Sequence, residues 1–312
     1  MTPTRKKKRA PRNRTLELSA GDRRRLENSI FTPRQKAPVK DVVDRIFQGD
    51  SVEVLQRLPE ASFDLLFADP PYNISKSFGK RTFRPKDQDE YEQELDEWLA
   101  IAAKLLKPTA SVYICGDWRS SAAIQRAGSR HFTLRNRITW EREKGRGSKT
   151  NWKSSSEDIW FFTVSDDYMF NPDDVMLKRR VIAPYKENGE PKDWEESERG
   201  RFRMTHPSNL WTDITVPFWS MPENTDHPTQ KPEKLLAKLI LASTGKGDLI
   251  LDPFLGSGTT AAAARKLGRH FTGIEIEKEF CLLAARRLEL AEEDSRIQGL
   301  EEGVFWERNS RT

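Results

Sequence analysis

Asp69, Pro70, Pro71 and Tyr72 combine an acceptor, a stiffened backbone and an aromatic ring in four positions. They follow Leu65, Leu66, Phe67 and Ala68, an apolar run of strand length, and the two prolines remove backbone donors as the chain leaves it. Asp69 and the Pro70 carbonyl can each accept a hydrogen bond from an amino group, and Tyr72 can stack on the flat heterocycle that carries it. A nucleobase with an exocyclic NH2 meets both demands. Taken alone, the tetrapeptide is explained equally well by a strand ending in a stiff turn with a surface tyrosine.

A second pattern lies far downstream, in Asp252, Pro253, Phe254, Leu255, Gly256, Ser257, Gly258, Thr259 and Thr260. The glycines let a ligand approach the backbone, and the alanine-rich helix that follows offers free N–H groups at its start. The next strand-like run ends at Glu275, 23 positions after Asp252, a spacing that suits an acid holding the two hydroxyls of a ribose. No lysine follows the second glycine and the full GxGxxG is absent, so this is not a phosphate loop. By itself it predicts a nucleoside-like ligand.

Strands and helices must present these residues, and the periodicity supplies them in alternation. Residues 45–50 read as a strand ending in Asp50, and Ser51 opens an amphipathic helix through Val54, Leu55 and Leu58. A polar loop over 74–89 carries Lys76, Lys80 and Arg81. A helix through Tyr91, Leu95, Trp98, Leu99, Ala102 and Leu105 ends before Pro108, and 111–115 is a further buried strand. Strands are also predicted over 134–140 and 158–164, joined by a loop with Arg142, Lys144, Arg146, Lys149 and Lys153. Residues 165–226 then lose periodicity. There Lys178, Arg179, Arg180, Arg201 and Arg203 interleave with Trp194, Trp211 and Trp219, side chains that read base edges and stack on bases, although the intervening acids equally fit a solvated insert.

Composition narrows the class. Of 312 residues, 36% are hydrophobic and 32% charged, and no apolar run approaches the roughly 20 residues that span a bilayer. With no signal-like segment at the N-terminus, the expectation is a soluble cytoplasmic protein that does not engage a membrane. The two cysteines, Cys115 and Cys281, sit in apolar stretches as buried thiols, and the four histidines lack metal-ligand spacing, so no metal is expected. Residues 1–40 hold 13 Lys or Arg against 3 acids, a local net of +10 on a chain of net +5. A basic arm on an acidic body suits phosphate attraction, and a disordered solubilising tail fits the charge equally well.

In order along the chain, Asp69-Pro70-Pro71-Tyr72, His227-Pro228-Thr229-Gln230-Lys231-Pro232 and the 252–260 pattern resemble the DNA amino-methyltransferases that use S-adenosylmethionine. With the catalytic motif first and the cofactor motif last, the chain is similar to the circularly permuted β group of that family. The resemblance spans about 46–290. It implies an α/β fold: a doubly wound, mostly parallel seven-stranded Rossmann-like sheet with an inserted DNA-recognition region. The expected division is a basic flexible arm (1–41), a catalytic half (42–164), a target-recognition region (165–226), a cofactor-binding half (227–293) and a C-terminal tail (294–312).

The resemblance also assigns roles. S-adenosylmethionine would lie near Phe254, Gly256, Ser257, Gly258 and Thr259 and the motif of His227, Thr229, Gln230 and Lys231. Lys231 would meet its carboxylate, Asp252 its ammonium, Glu275 its ribose hydroxyls and Asp50 its adenine amino group. The target base would be flipped out of double-stranded DNA, stacked on Tyr72, and held by Asp69 and the Pro70 carbonyl for in-line methyl transfer without a covalent intermediate. An aspartate at the first motif position favours N6-adenine over N4-cytosine. An RNA methyltransferase or an inactive nucleic-acid-binding protein of the same fold are the alternatives. A homodimer and a cognate restriction endonuclease are the further partners the family implies.

Overall fold

In the computed structural model, the residues described are 10–32, 35–78, 81–142, 149–182, 185–198 and 200–307. Ser19 accepts the Asp22 N–H while Asp22 accepts from Ser19, a reciprocal cap that starts α1 (Ala20–Leu26). β1 (Ile30–Phe31) pairs parallel with β2 (Arg45–Gln48), and Asp50 caps α2 (Ser51–Leu55) by accepting from the Val52 and Glu53 N–H groups. β3 (Phe63–Ala68) leads into the acid tetrapeptide, and β4 (Lys76–Phe78) and β5 (Arg81–Phe83) make a small hairpin. α3 (Gln88–Leu105) buries Tyr91, Leu95, Trp98, Leu99, Ala102 and Leu105, the stripe read from the sequence, and runs into β6 (Leu106–Gly116). α4 (Ser121–His131), β7 (Thr133–Glu141) and β8 (Ser156–Thr163) follow.

The middle of the chain is built from short strands: β9 (Leu177–Arg180), β10 (Lys186–Glu187), β11 (Glu190–Pro191), β12 (Glu195–Ser197), β13 (Gly200–Thr205) and β14 (Leu210–Trp211). Longer elements then return: α5 (Glu233–Ser243), β15 (Leu249–Asp252), α6 (Thr259–Lys266), β16 (His270–Glu275) and α7 (Lys278–Glu293). β17 (Leu300–Glu301) and β18 (Val304–Trp306) complete the described chain.

The main sheet runs β1-β2-β16-β15-β3-β6-β8-β7-β14. Its seven inner strands are those expected, with two-residue strands added at the edges. Only β8 runs antiparallel to its neighbours β6 and β7. Strand alternation sorts the core onto two faces. Leu65 and Phe67 of β3, Tyr113 and Cys115 of β6 and Ile159 of β8 enter a core shared with α5, α6 and α7. Leu66, Ala68, Val112 and Ile114 enter the opposite core, against α2, α3 and α4. Helices on both faces make the sheet doubly wound, and none among the described residues is long and apolar enough to cross a membrane.

Three expected boundaries change. Residues 10–32 are not a flexible arm: Leu16, Leu18 and Leu26 pack into the core beside α7, Arg23 pairs with Glu279 at 2.6 Å and Arg25 with Glu289. Two of those cations therefore serve α7, and residues 5–9 lie outside the described residues. The C-terminal tail is also folded. β17 and β18 join β12, β13 and β9 in a five-stranded sheet, with Ile297 and Phe305 buried against Val175, Leu177 and Ala237. The segment expected to be a recognition region, 165–226, is divided as well. Trp211, Ile214 and Val216 belong to the main core, and Asp213 is held there by Lys234 and Lys238 of α5.

Candidate active site

β3 and β15 are neighbours, with Leu65 opposite Ile250 and Leu66 opposite Leu251, so Asp69 and Asp252 emerge side by side at the carboxyl edge of the sheet. Open α/β sheets bind ligands at that edge. The backbone after Asp69 is pinned: Tyr91 donates to the Pro71 carbonyl at 3.1 Å, the Asn73 N–H donates to Ser120 Oγ at 3.0 Å, and the Asn73 side chain exchanges two bonds with the Lys86 backbone.

Asp69 is mostly buried and its two oxygens have different partners. Oδ1 accepts from the Tyr72 hydroxyl at 2.8 Å and Oδ2 from Lys231 Nζ at 2.5 Å. An ionised carboxylate offers about four lone-pair sites, so two acceptor positions remain. No donor among the described residues reaches the Pro70 carbonyl. Burial alone would lower the Lys231 pKa, but Asp69 and Glu157 beside it outweigh that effect and hold the ammonium protonated. Burial, with Asp69 and Glu157 again close by, pushes the Tyr72 phenol well above its ordinary value. Neither group is available as a base at neutral pH.

A cleft of ≈ 200 Å³ opens beside this tetrapeptide, lined by Asp69, Pro70, Pro71 and Tyr72 on one side and by Asp50, His227, Thr229, Phe254, Gly256, Glu275 and Phe280 on the other. A small adjoining cavity of ≈ 20 Å³ is bounded by Asp69, Gln230, Lys231, Asp252, Ser257 and Thr259. Gly256 adopts φ +55°, and a Cβ there would lie 2.9 Å from the His227 ring, so this turn and this histidine fit only with glycine present. Glu275 fixes the turn by accepting the Gly256 N–H at 2.9 Å with one oxygen and the Glu277 N–H at 2.8 Å with the other. Burial raises the Glu275 carboxyl, opposed by those N–H groups. Asp252 is pushed up to about 7 by burial, against the Thr260 hydroxyl and the Phe254 N–H that it accepts.

The DNA methylase family of the N6/N4 type matches residues 63–286 of this chain. The chain belongs to that family. DNA adenine methyltransferase YhdJ of Escherichia coli K12 is 36% identical over 254 residues, covering 79% of this chain and 83% of that protein. Type II methyltransferase M.BglII of Bacillus subtilis is 31% identical over 260 residues, covering 78% and 69%. Among solved structures, the cytosine-N4-specific PvuII DNA methyltransferase superposes with a TM-score of 0.59 at 19% identity, over 80% of this chain and 90% of that one. At that identity the likeness carries the fold alone. The protein is an S-adenosylmethionine-dependent DNA methyltransferase.

The residues present fit that cofactor. Ser257 Oγ is buried with no hydrogen-bond partner among the described residues, at the wall of the small cavity. A ligand polar atom there would remove the cost of leaving a buried hydroxyl unpaired. An acid, Asp252, stands beside it for a cationic group.

The structure sorts the expected site residues of this methyltransferase. Asp50, His227, Thr229, Phe254, Gly256 and Glu275 line the cleft, as do all four members of the tetrapeptide. Lys231, expected to meet the cofactor's carboxylate, instead holds Asp69. Gln230 is spent on the backbone, accepting from Thr225 and donating to the Glu223 carbonyl at 2.6 Å. Thr259 bonds the Lys231 carbonyl and Arg287. Gly258 is a packing glycine: at φ +84° its Cβ would lie 2.5 Å from that of Ala284 on α7.

Of the expected DNA contacts, Lys80 and Arg146 lie outside the described residues, Lys76 and Arg81 sit on the β4–β5 hairpin, and Lys149 is exposed. Lys178, Arg179 and Arg180 on β9 and Arg201 and Arg203 on β13 share the second sheet. Arg179 pairs with Glu307, Arg201 with Glu196 and Arg203 with Asp193, and the Lys178 ammonium lies 4.8 Å from the Trp306 ring centre. Lys149 and the cations of β9 and β13 do not line the cleft. Glu157 does not stand out in the sequence. It is buried at the start of β8 and contacts Tyr72, Lys231 and Arg142. Its only local signal is an acid two positions before the apolar run of Ile159, Trp160, Phe161 and Phe162.

Proposed function

We propose that this methyltransferase transfers a methyl group from S-adenosylmethionine to the N6 amino group of an adenine flipped out of duplex DNA. The observation that carries the reading is a single cleft bounded on one side by Asp69 and the Pro70 carbonyl and on the other by Gly256 and Glu275. The aspartate at the first motif position and the adenine-methyltransferase name of the 36% identical relative both favour adenine over cytosine.

S-adenosylmethionine supplies an activated methyl on a sulfonium. The protein's task is then positional, because an aromatic amine delocalises its lone pair into the ring and is a poor nucleophile. Asp69 and the Pro70 carbonyl accept the two N–H bonds, which turns the nitrogen lone pair towards the cofactor side of the cleft. Tyr72, its hydroxyl tied to Asp69, presents its ring as a stacking surface for the base. As the N–C bond forms, the methyl's bond to sulfur breaks with its electron pair left on sulfur, and one proton leaves the amino nitrogen along the hydrogen bond to Asp69. Gly256, Glu275 and Asp50 would hold the nucleoside end of the cofactor, and Asp252 and Ser257 its amino-acid end. Burial pushes the thiols of Cys115 and Cys281 up, so neither is a ready nucleophile.

The catalytic motif precedes the cofactor loop, and β2 lies beside β16, which supports the permuted β-group order with its cut between α7 and β2. The second sheet, with residues 142–153, is the proposed recognition surface for duplex DNA, and the Type II names of two relatives make a cognate endonuclease a candidate partner. The test is product analysis: unmethylated duplex DNA is treated with enzyme and cofactor, digested to nucleosides and examined by mass spectrometry. N6-methyladenine is expected; N4-methylcytosine would replace the substrate assignment, and no methylated nucleoside would overturn it.

A further inference from the structure

Glu157 is a buried acid beside the reacting groups that takes no direct part in methyl transfer. It stands opposite Trp140 on β7, one position beyond the pairing of Gly116 with Asp158, and so lies at the same edge of the sheet as Asp69. Alternation puts it on the face of Ile159 and Phe161, the side from which Lys231 arrives ahead of α5. Its carboxylate is 3% exposed. One oxygen is paired with the Arg142 guanidinium, which would by itself compensate the burial. The other oxygen lies 3.3 Å from the Tyr72 hydroxyl and 3.4 Å from Lys231 Nζ.

The four groups form a closed set. Lys231 has three N–H donors, and they face Asp69 at 2.5 Å, the Tyr72 oxygen at 3.2 Å and Glu157 at 3.4 Å. Both the ammonium and the phenol already donate to Asp69; without Glu157 the phenol proton has no second acceptor and the ammonium is free to turn a further N–H to Asp69, drawing on the lone pairs that the substrate amino group needs. Asp69, Glu157, Lys231 and Arg142 together carry no net charge, whereas loss of Glu157 leaves one uncompensated positive charge at the mouth of the cleft. We infer that Glu157 is a positioning residue for methyl transfer: it shares Lys231 and Tyr72 with Asp69 and so keeps Asp69 open to the target amino group. This rests on the reading of Asp69 as the acceptor of that group.

The test compares Glu157→Gln, Tyr72→Phe and the double variant with the unaltered enzyme. Single-turnover methyl transfer, cofactor Kd, duplex-DNA Kd and the thermal unfolding midpoint are measured for each. Glu157→Gln should slow transfer by about 10-fold or more, the scale of coupling within one hydrogen-bond network, with both Kd values within about twofold. In the Tyr72→Phe background the same change should cost less, because part of the route through Tyr72 is already gone. A wild-type rate for Glu157→Gln, purely multiplicative losses in the double variant, or a rate loss explained entirely by weaker binding or unfolding would overturn the assignment. Should Glu157→Gln fail to fold, Glu157→Asp, which keeps the charge and shortens the reach, must show the selective rate loss instead; a wild-type rate there refutes the role. Failure of the adenine reading appears separately, as a different methylated nucleoside from the unaltered enzyme.

Discussion

Lys231 and Asp69 are 162 positions apart in the chain and 2.5 Å apart in the fold. The pair joins the segment before α5 to the end of β3, so the two halves of the methyltransferase meet at the acid proposed to receive the target amino group. Lys231 is 5% exposed and lies between two carboxylates. Replacing it with methionine leaves Asp69 without a cation while Glu157 keeps Arg142, and breaking a buried pair on one side costs about 3–5 kcal/mol. Urea unfolding of Lys231→Met should show a midpoint loss on that scale with methyl transfer nearly abolished. Unchanged stability would mean that the ammonium is not compensating the buried acids.

Asp252 gives a pH signature. Its ordinary carboxyl value of 3.8 is raised to about 7 in the fold. Between those values the folded state keeps a proton that the unfolded chain releases, so this group makes stability fall as pH rises from about 4 to about 7 and adds no further slope above it. Asp252→Asn removes the titration. Relative to the unaltered enzyme, that variant should gain stability steadily from pH 5 to pH 7 in denaturant titrations, and a difference independent of pH would contradict the raised value.

Gly258 is expected to be intolerant for reasons of packing and backbone, not ligand contact. In Gly258→Ala a methyl group must enter the space of Ala284 at φ +84°. Left-handed strain in a non-glycine residue costs about 1–3 kcal/mol before the clash is counted. The expected result is a lowered thermal midpoint, and a fully stable variant would show that α6 and α7 can separate at little cost.

The tetrapeptide, the glycine loop and Glu275 are legible in sequence because each is a local pattern at the end of a strand whose apolar run is also local. The seven inner strands and the stripe of α3 follow from the same short-range periodicity. Glu157 is not legible: its meaning comes from Tyr72, 85 positions away, and from Lys231. The motif around Lys231 ties it to the cofactor, and only the neighbouring strands turn it towards Asp69. The N-terminal segment misleads because its charge conceals Leu16, Leu18 and Leu26, too sparse for a periodic signal. β17 and β18, of two and three residues, are too short for alternation to register.

The folded state of residues 10–32 changes the test of the basic N-terminus. Removing residues 1–40 would expose core around Leu18 and Leu26, whereas removing residues 1–9 deletes Arg5, Lys6, Lys7, Lys8 and Arg9 and keeps Leu16, Leu18 and Leu26 in the chain. If these side chains meet phosphates, the slope of log affinity for duplex DNA against log salt should flatten by about 0.9 for each phosphate no longer neutralised. An unchanged slope would assign the DNA attraction to other cations.

The central claim is that Asp69 holds the target amino group in a cleft whose other wall binds the cofactor. Its most direct measurement is single-turnover methyl transfer by Asp69→Ala on duplex DNA, with cofactor Kd determined on the same preparation. The expected result is a transfer rate lower by about 100-fold or more, the scale set by removing one preorganised polar group at the reacting atoms, with cofactor binding preserved. Transfer at the rate of the unaltered enzyme, or loss of cofactor binding in proportion to the loss of rate, would contradict it.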